Sequence, residues 1–241
     1  MKPRGFTLME MVITIVVGSI IMLGIAGYLQ LGAKGYADTI DRQRLQTQAQ
    51  FVIEKISREI RHAVPNSFFI DEDDKSCLQF MPIKHSGFYA IAGDDIEFVV
   101  GFFGDAPKFN GGLKMVINPT RHSDLSSSTH SVDVGSTTID SNKSYKILKG
   151  AEVLTSRSVS NRHYIYDPSA IINYCFVGSE IQRNNQTIAD GMVYADDQSQ
   201  SRFQYDDSSL HRGGLVHLRL VFEQSGEKSV YQQDVQVLNV P

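Results

Sequence analysis

The sequence predicts an α+β protein in which one long N-terminal helix precedes a mainly antiparallel β head. Two observations carry this prediction. Residues 6–31 are almost entirely apolar, and apolar residues then recur at helical spacing as far as Pro65. From about residue 66 the pattern changes to short apolar runs separated by polar turns, which is typical of β strands. The chain of 241 residues has room for one anchoring helix and one globular domain.

The N-terminal apolar stretch is long enough to cross a bilayer. A helix of residues 6–31 rises 1.5 Å per residue and exceeds the length of about 20 residues that a membrane span needs. Lys2 and Arg4 precede it, and basic flanks stay on the cytoplasmic side. We therefore expect the rest of the chain outside the cytoplasm.

Two ordinary interpretations of this stretch are less satisfactory. A secretory signal peptide has a shorter apolar region followed by a small-residue cleavage site, whereas here an amphipathic pattern follows. An uncut signal anchor explains the length and the orientation. It gives no reason for Glu10, because an unpaired carboxylate at membrane depth is costly and usually functional.

The string Gly5-Phe6-Thr7-Leu8-Met9-Glu10 resembles the processing motif of type IV pilins and of type II secretion pseudopilins. The resemblance implies that a prepilin peptidase/methyltransferase cuts after Gly5 and methylates Phe6. It also implies that the Glu10 carboxylate neutralises the new amine when subunits pack. The chain would then be a structural subunit and not an enzyme, with the inner membrane and other major and minor pilins as partners of its N-terminal helix.

The helical pattern continues beyond the apolar stretch as an amphipathic helix. One stripe consists of Leu45, Ala49, Val52, Ile56, Ile60 and Ala63. The residues predicted to face water are Asp41, Arg44, Gln48, Lys55, Arg58 and Glu59. Glu54 and Arg58 are spaced for an ion pair, and Pro65 ends the helix. Many major pilins carry proline where this chain has Gly27, which favours a minor pilin or pseudopilin.

The predicted organisation therefore has four parts. Residues 1–5 are a leader peptide, residues 6–31 a transmembrane or filament-core helix, residues 32–64 an amphipathic helix, and residues 65–241 a globular β-rich head. This is the arrangement of the pilin fold.

Strands in the head are predicted from short apolar runs. The candidates are Cys77–Met81, Ile96–Phe103, Lys114–Ile117, Tyr145–Leu148, Ile171–Val177 and Gly191–Tyr194. Alternation over Gly214–Glu223, a turn at Ser225 to Lys228 and a returning strand at Val230–Val240 predict a C-terminal hairpin. Residues 123–144 are predicted to form an extended mobile loop, and residues 182–213 are similarly polar.

Cys77 and Cys175 both lie in strand-like runs. A disulfide between them is the simple interpretation in an oxidising compartment, and two separate buried thiols are the alternative.

No catalytic, cofactor or metal site is indicated. Asp71-Glu72-Asp73-Asp74 lacks the alternate spacing of a calcium loop and is interpreted as a solvated turn, as are the pairs Asp196-Asp197 and Asp206-Asp207. The seven histidines have no zinc spacing, and no P-loop or G-x-S-x-G motif is present. The net charge of -4 gives no argument for nucleic-acid binding.

A closer resemblance rests on residues 50–67, Gln-Phe-Val-Ile-Glu-Lys-Ile-Ser-Arg-Glu-Ile-Arg-His-Ala-Val-Pro-Asn-Ser, and on the C-terminal hairpin. These segments resemble the MshO-like minor pilins of the mannose-sensitive haemagglutinin (MSHA) pilus, which are themselves similar to J-type pseudopilins and PilW-type minor pilins. This implies an inner-membrane subunit with a periplasmic head that helps to initiate pilus assembly. A J-like pseudopilin and a tip adhesin with a ligand-binding head stay open as alternatives.

Overall fold

A computed structural model describes residues 5–71, 76–109, 111–127, 130–135, 137–154, 156–194, 200–208, 213–224 and 226–237. The chain divides into two compact units, Met1–Gln48 and Ala49–Pro241. The order of elements is one long helix followed by antiparallel strands, which confirms the predicted α+β class.

Helix α1 spans Leu8–Arg61. Within the second unit its apolar stripe is buried as the spacing predicts, and Ala49, Val52, Ile56 and Ile60 have no exposed surface. The predicted ion pair is present on the opposite side, where Arg58 Nη2 lies 3.1 Å from Glu54 Oε1. The chain then turns through Asn66, whose φ of 56° lies in the left-handed region.

The strands are short except for the last two. In chain order the first eight are β1 (Phe69–Ile70), β2 (Cys77–Phe80), β3 (His85–Ala92), β4 (Asp95–Val100), β5 (Lys114–Val116), β6 (Ser131–Asp133), β7 (Thr138–Ile139) and β8 (Tyr145–Ile147). The others are β9 (Arg162–Tyr166), β10 (Ile172–Val177), β11 (Glu180–Arg183), β12 (Gln186–Ala189), β13 (Arg202–Asp206), β14 (Leu215–Gln224) and β15 (Glu227–Gln236). Helix α2 (His122–Ser126) and a 3-10 turn (Gly150–Val153) lie between strands.

These strands form three antiparallel sheets. A seven-stranded sheet has the order β6-β5-β9-β3-β4-β8-β7, a five-stranded sheet β1-β2-β10-β11-β12, and a three-stranded sheet β13-β14-β15. In four hairpins the last residue of the first strand pairs with the first residue of the second strand. Two residues therefore connect the strands in each of these hairpins. In the β11–β12 turn both Asn184 and Asn185 have positive φ, as the turn that matches strand twist requires.

One face of the seven-stranded sheet holds an apolar core. Its buried members include Phe98, Phe109, Met115, Tyr145 and Ile165. Aromatic rings pack within it, with the Phe98 and Tyr145 centroids 5.1 Å apart. This core excludes water from the centre of the sheet.

Several predictions about the head are confirmed and others are wrong. Five predicted strands match β2, β4, β5, β8 and β10, and the C-terminal hairpin is present as β14 and β15. Gly191–Tyr194 makes only an isolated bridge from Met192 to Phe222 and is not a strand. The predicted loop at residues 123–144 contains part of α2, β6 and β7, because Leu125 and Val134 are fully buried apolar anchors.

Candidate functional site

The N-terminal segment changes from non-helical chain to helix between Thr7 and Leu8. Gly5, Phe6 and Thr7 lie outside α1, and the Phe6 side chain is 81% exposed. The peptide bond between Gly5 and Phe6 is therefore separated from the helix by Phe6 and Thr7.

Reciprocal hydrogen bonds between Thr7 and Glu10 fix this boundary. The Thr7 backbone N–H and hydroxyl donate to Glu10 Oε2 at 3.2 and 3.1 Å. The Glu10 backbone N–H donates in turn to Thr7 Oγ1 at 3.3 Å. Thr7 thus occupies the cap position and Glu10 the third helical position of a capping box. The box gives hydrogen-bond partners to N–H groups that have no acceptor within the helix.

Glu10 was predicted to pair only with the amine of a neighbouring subunit, and its contact with Thr7 within the chain was missed. The spacing Thr7-x-x-Glu10 before an apolar run is itself the signature of a capping box and would have revealed it.

The surface of α1 is apolar on every side over the membrane-length stretch that ends at Leu31. Ile20, Ile21, Met22 and Leu23 are consecutive and all exposed, and four consecutive helical positions cover the whole circumference. Between residues 6 and 33, Glu10 is the only residue that is charged at neutral pH. By length and composition α1 is sufficient to cross a membrane. Such a helix fits a single-pass membrane anchor.

The structure joins Cys77 and Cys175 in a disulfide, the pair that the sequence predicts. The two residues are direct partners across the antiparallel strands β2 and β10. Because they are 98 positions apart, the bond links distant parts of the head. No free cysteine is present.

The prediction that Glu59 faces water is wrong. Arg183 Nε donates to Glu59 Oε1 and Oε2 at 3.1 and 2.9 Å, and Lys55 Nζ lies 3.4 Å from Oε1. Burial raises the pKa of the nearby Tyr174 hydroxyl, and the negative charge of the Glu59 carboxylate raises it further. The ion pair of Glu59 and Arg183 links the last turns of α1 to strand β11. Local sequence spacing could not reveal this contact, because the two residues are 124 positions apart.

A second polar cluster lies on the three-stranded sheet. His217 Nδ1 is 2.7 Å from Asp234 Oδ1, and its Nε2 is 3.3 Å from Asp206 Oδ2. Burial alone lowers the pKa of His217, but hydrogen bonds to Asp234 and Asp206 outweigh it and hold the pKa above its ordinary value. Both ring nitrogens contact carboxylates, so neither is available to a metal ion in this arrangement.

Metal binding gains no support from the described part of the chain, which contains no group of three His, Cys, Asp or Glu side chains that could hold an ion. The calcium candidate is only partly covered, because Glu72, Asp73 and Asp74 lie outside the described residues, as do Asp196 and Asp197.

Comparison with known proteins gives one match, and it falls on the N-terminal site. Residues 1–26 match the family model described as the prokaryotic N-terminal methylation motif. No curated protein matches the chain, and no solved structure matches it. The matched segment covers the non-helical residues, the capping box and most of the apolar span. Residues 1–26 therefore carry the N-terminal methylation motif, the prepilin signal of type IV pilin-like proteins.

Proposed function

We propose that this chain is a type IV pilin-like structural subunit, made as a precursor that a prepilin peptidase cuts between Gly5 and Phe6 and then methylates on Phe6. The observation that carries the proposal is the methylation motif over residues 1–26, placed at the start of a helix with an exposed apolar surface. A cut at this point leaves the apolar helix attached to the head. The helix then serves as a membrane anchor first and as a packing surface for other subunits later.

The surroundings of Gly5 in the chain itself do not require glycine, which supports a requirement for glycine imposed by the peptidase. A methyl group added at Gly5 would meet no described atom within 4 Å, and its φ is outside the left-handed region. The described part of the chain therefore tolerates alanine at this position. A narrow peptidase cleft is the partner that would require glycine.

Glu10 has a proposed second role in assembly. Its carboxylate is the only charge that the apolar surface carries, and such a charge is costly in lipid or in a filament core without a cation. The α-amine of Phe6 in a neighbouring subunit would supply that cation. The Thr7 contact supplies hydrogen bonds to Glu10 but no positive charge.

The proposed orientation places the head in the periplasm. Lys2 and Arg4 favour a cytoplasmic N-terminus. The Cys77–Cys175 disulfide supports a head outside the cytoplasm, because disulfides persist in oxidising compartments.

Within this class we propose a minor pilin of the MSHA type that helps to initiate assembly. Gly27 at a position where many major pilins carry proline supports a minor subunit, as do the fifteen strands in the described part of the head. A J-like pseudopilin of type II secretion is the alternative. Deleting the gene and following both surface pili and secreted enzymes separates the two, since loss of pili alone supports the minor pilin and loss of secretion alone supports the pseudopilin.

The assembly role of Glu10 is tested by complementing that deletion with Glu10→Val. The variant should still be cut, because Thr7 Oγ1 still accepts from the backbone N–H of residue 10. It should restore few pili, because the amine then lacks its carboxylate. Glu54→Val is the matched control, since it removes an exposed acid from the same helix outside the apolar span. Normal piliation with Glu10→Val would contradict the pairing role.

A further inference from the structure

We infer that Thr7 is a positioning residue for the processing step. With Glu10 it sets the start of α1 at Leu8 and keeps the Gly5–Phe6 bond outside the helix. The inference rests on the proposed function, because it concerns how the precursor is presented to the peptidase.

The Thr7 hydroxyl takes part in two hydrogen bonds with Glu10 at the start of the helix. It donates to the Glu10 carboxylate and accepts from the Glu10 backbone N–H. Valine has the same shape but can do neither. In an apolar environment an N–H group without an acceptor is costly, so the chain must satisfy it in another way when the hydroxyl is lost.

The chain can satisfy this N–H group by extending the helix towards the N-terminus. Carbonyl groups of residues 2–6 would then accept from the N–H groups of residues 6–10, as in any α-helix. Pro3 suits the first position of such an extended helix, because its fixed φ is helical and it has no N–H to satisfy. The Gly5–Phe6 bond would then lie inside the first turn.

A helical bond is a poor substrate for a peptidase. Clefts that bind peptides commonly take them as extended strands, whose backbone N–H and C=O groups are free to pair. In a helix those groups are already paired. The apparent affinity for the precursor is therefore its intrinsic affinity multiplied by the fraction of chains with an extended segment at residues 5–7.

The test uses the full-length precursor in detergent micelles with a purified prepilin peptidase. Thr7→Val should raise KM with kcat unchanged, by at most about fivefold, since a lost N-cap typically changes the ratio of extended to helical chains by about that factor. Thr7→Ser keeps a hydroxyl and should restore the wild-type KM. Thr14→Val is the matched control, because the Thr14 hydroxyl donates to the Met11 carbonyl within the helix and caps nothing.

A second measurement separates backbone positioning from direct recognition of Thr7 by the enzyme. In the uncut precursor without peptidase, NMR backbone chemical shifts at Gly5 and Phe6 should move towards helical values in Thr7→Val and stay non-helical in Thr7→Ser. A Thr7→Val precursor that is cut with unchanged or lower KM overturns the inference. So does a raised KM with shifts that stay non-helical. A wild-type precursor that is not cut at Gly5 overturns the proposed function and this inference with it.

Discussion

Lowering the pH from 7 to 5 should destabilise the head through His163. This side chain lies in β9 with no exposed surface, and among the described residues neither ring nitrogen has a hydrogen-bond partner. The ring makes a T-shaped contact with Phe98, with centroids 5.1 Å apart. The site therefore holds a neutral imidazole, and no described residue offers the hydrogen bond that would stabilise an imidazolium.

The size of the effect follows from the shift in pKa. Burial lowers the pKa of His163 from 6.5 to about 4. Because the folded pKa is below the unfolded value, the unfolded chain takes up the proton first as the pH falls. Linkage then gives a loss of about 2 kcal/mol between pH 7 and pH 5, which levels off at about 3 kcal/mol below pH 4.

The assay is urea unfolding of the full chain in micelles, followed by tyrosine circular dichroism at pH 7 and pH 5. Other histidines contribute as well, since burial also lowers the pKa of His85 and His122 while the His217 pKa is raised. His163→Leu removes only the contribution of His163. The difference in unfolding free energy between wild type and His163→Leu should change by about 2 kcal/mol from pH 7 to pH 5. A difference that stays constant over this range would refute the reasoning.

Two further predictions concern the framework of the head. Replacing Cys77 and Cys175 together by alanine should lower the unfolding free energy by about 4–5 kcal/mol, as expected for closure of a loop this long, and reduction of the wild type should match it. A loss below about 1 kcal/mol in urea unfolding would contradict this. Gly87→Ala should separate β3 from β4 and lower Tm, because its Cβ would lie 1.8 Å from the Val99 carbonyl oxygen. Gly101→Ala is the control, with its nearest atom at 3.9 Å, and equal Tm values for the two variants would contradict the clash.

Local patterns account for the parts of the fold that were predicted correctly. The stripe from Ala49 to Ile60 repeats every three or four residues, so the buried side of α1 could be identified without knowing what covers it. The β14–β15 hairpin has regular alternation, and the sequence between its strands carries the turn signal Ser-Gly. In both cases the signal lies within about twenty residues of sequence.

Strands without alternation were missed for a physical reason. In β9 the four residues His163 to Tyr166 are all buried, because one face of the strand joins the core of the seven-stranded sheet and the other packs with Met81 and Leu125. A strand that is buried on both faces loses the period of two. The β11–β12 hairpin was missed because its Asn-Asn turn was interpreted as a polar loop.

Polar contacts between distant residues could not be predicted from spacing. The pairing of Glu59 with Arg183 depends on where the end of α1 packs on β11, and the contacts of His217 depend on how strands are placed side by side. At the N-terminus the situation is different. The methylation motif and the capping box share the residues Thr7 and Glu10, so one short string carries both a processing signal and a helix start.

The most direct test of the account is the covalent structure of the mature chain's N-terminus. Intact mass and N-terminal fragment spectra of the protein from its host membranes should show a chain that begins at Phe6 with a methylated amine. Gly5→Ala should instead leave a full-length precursor, although this substitution meets no described atom in the chain itself. A wild-type chain that keeps residues 1–5, or a Gly5→Ala chain cut at the normal site, would contradict the claim that this protein is a processed pilin-like subunit.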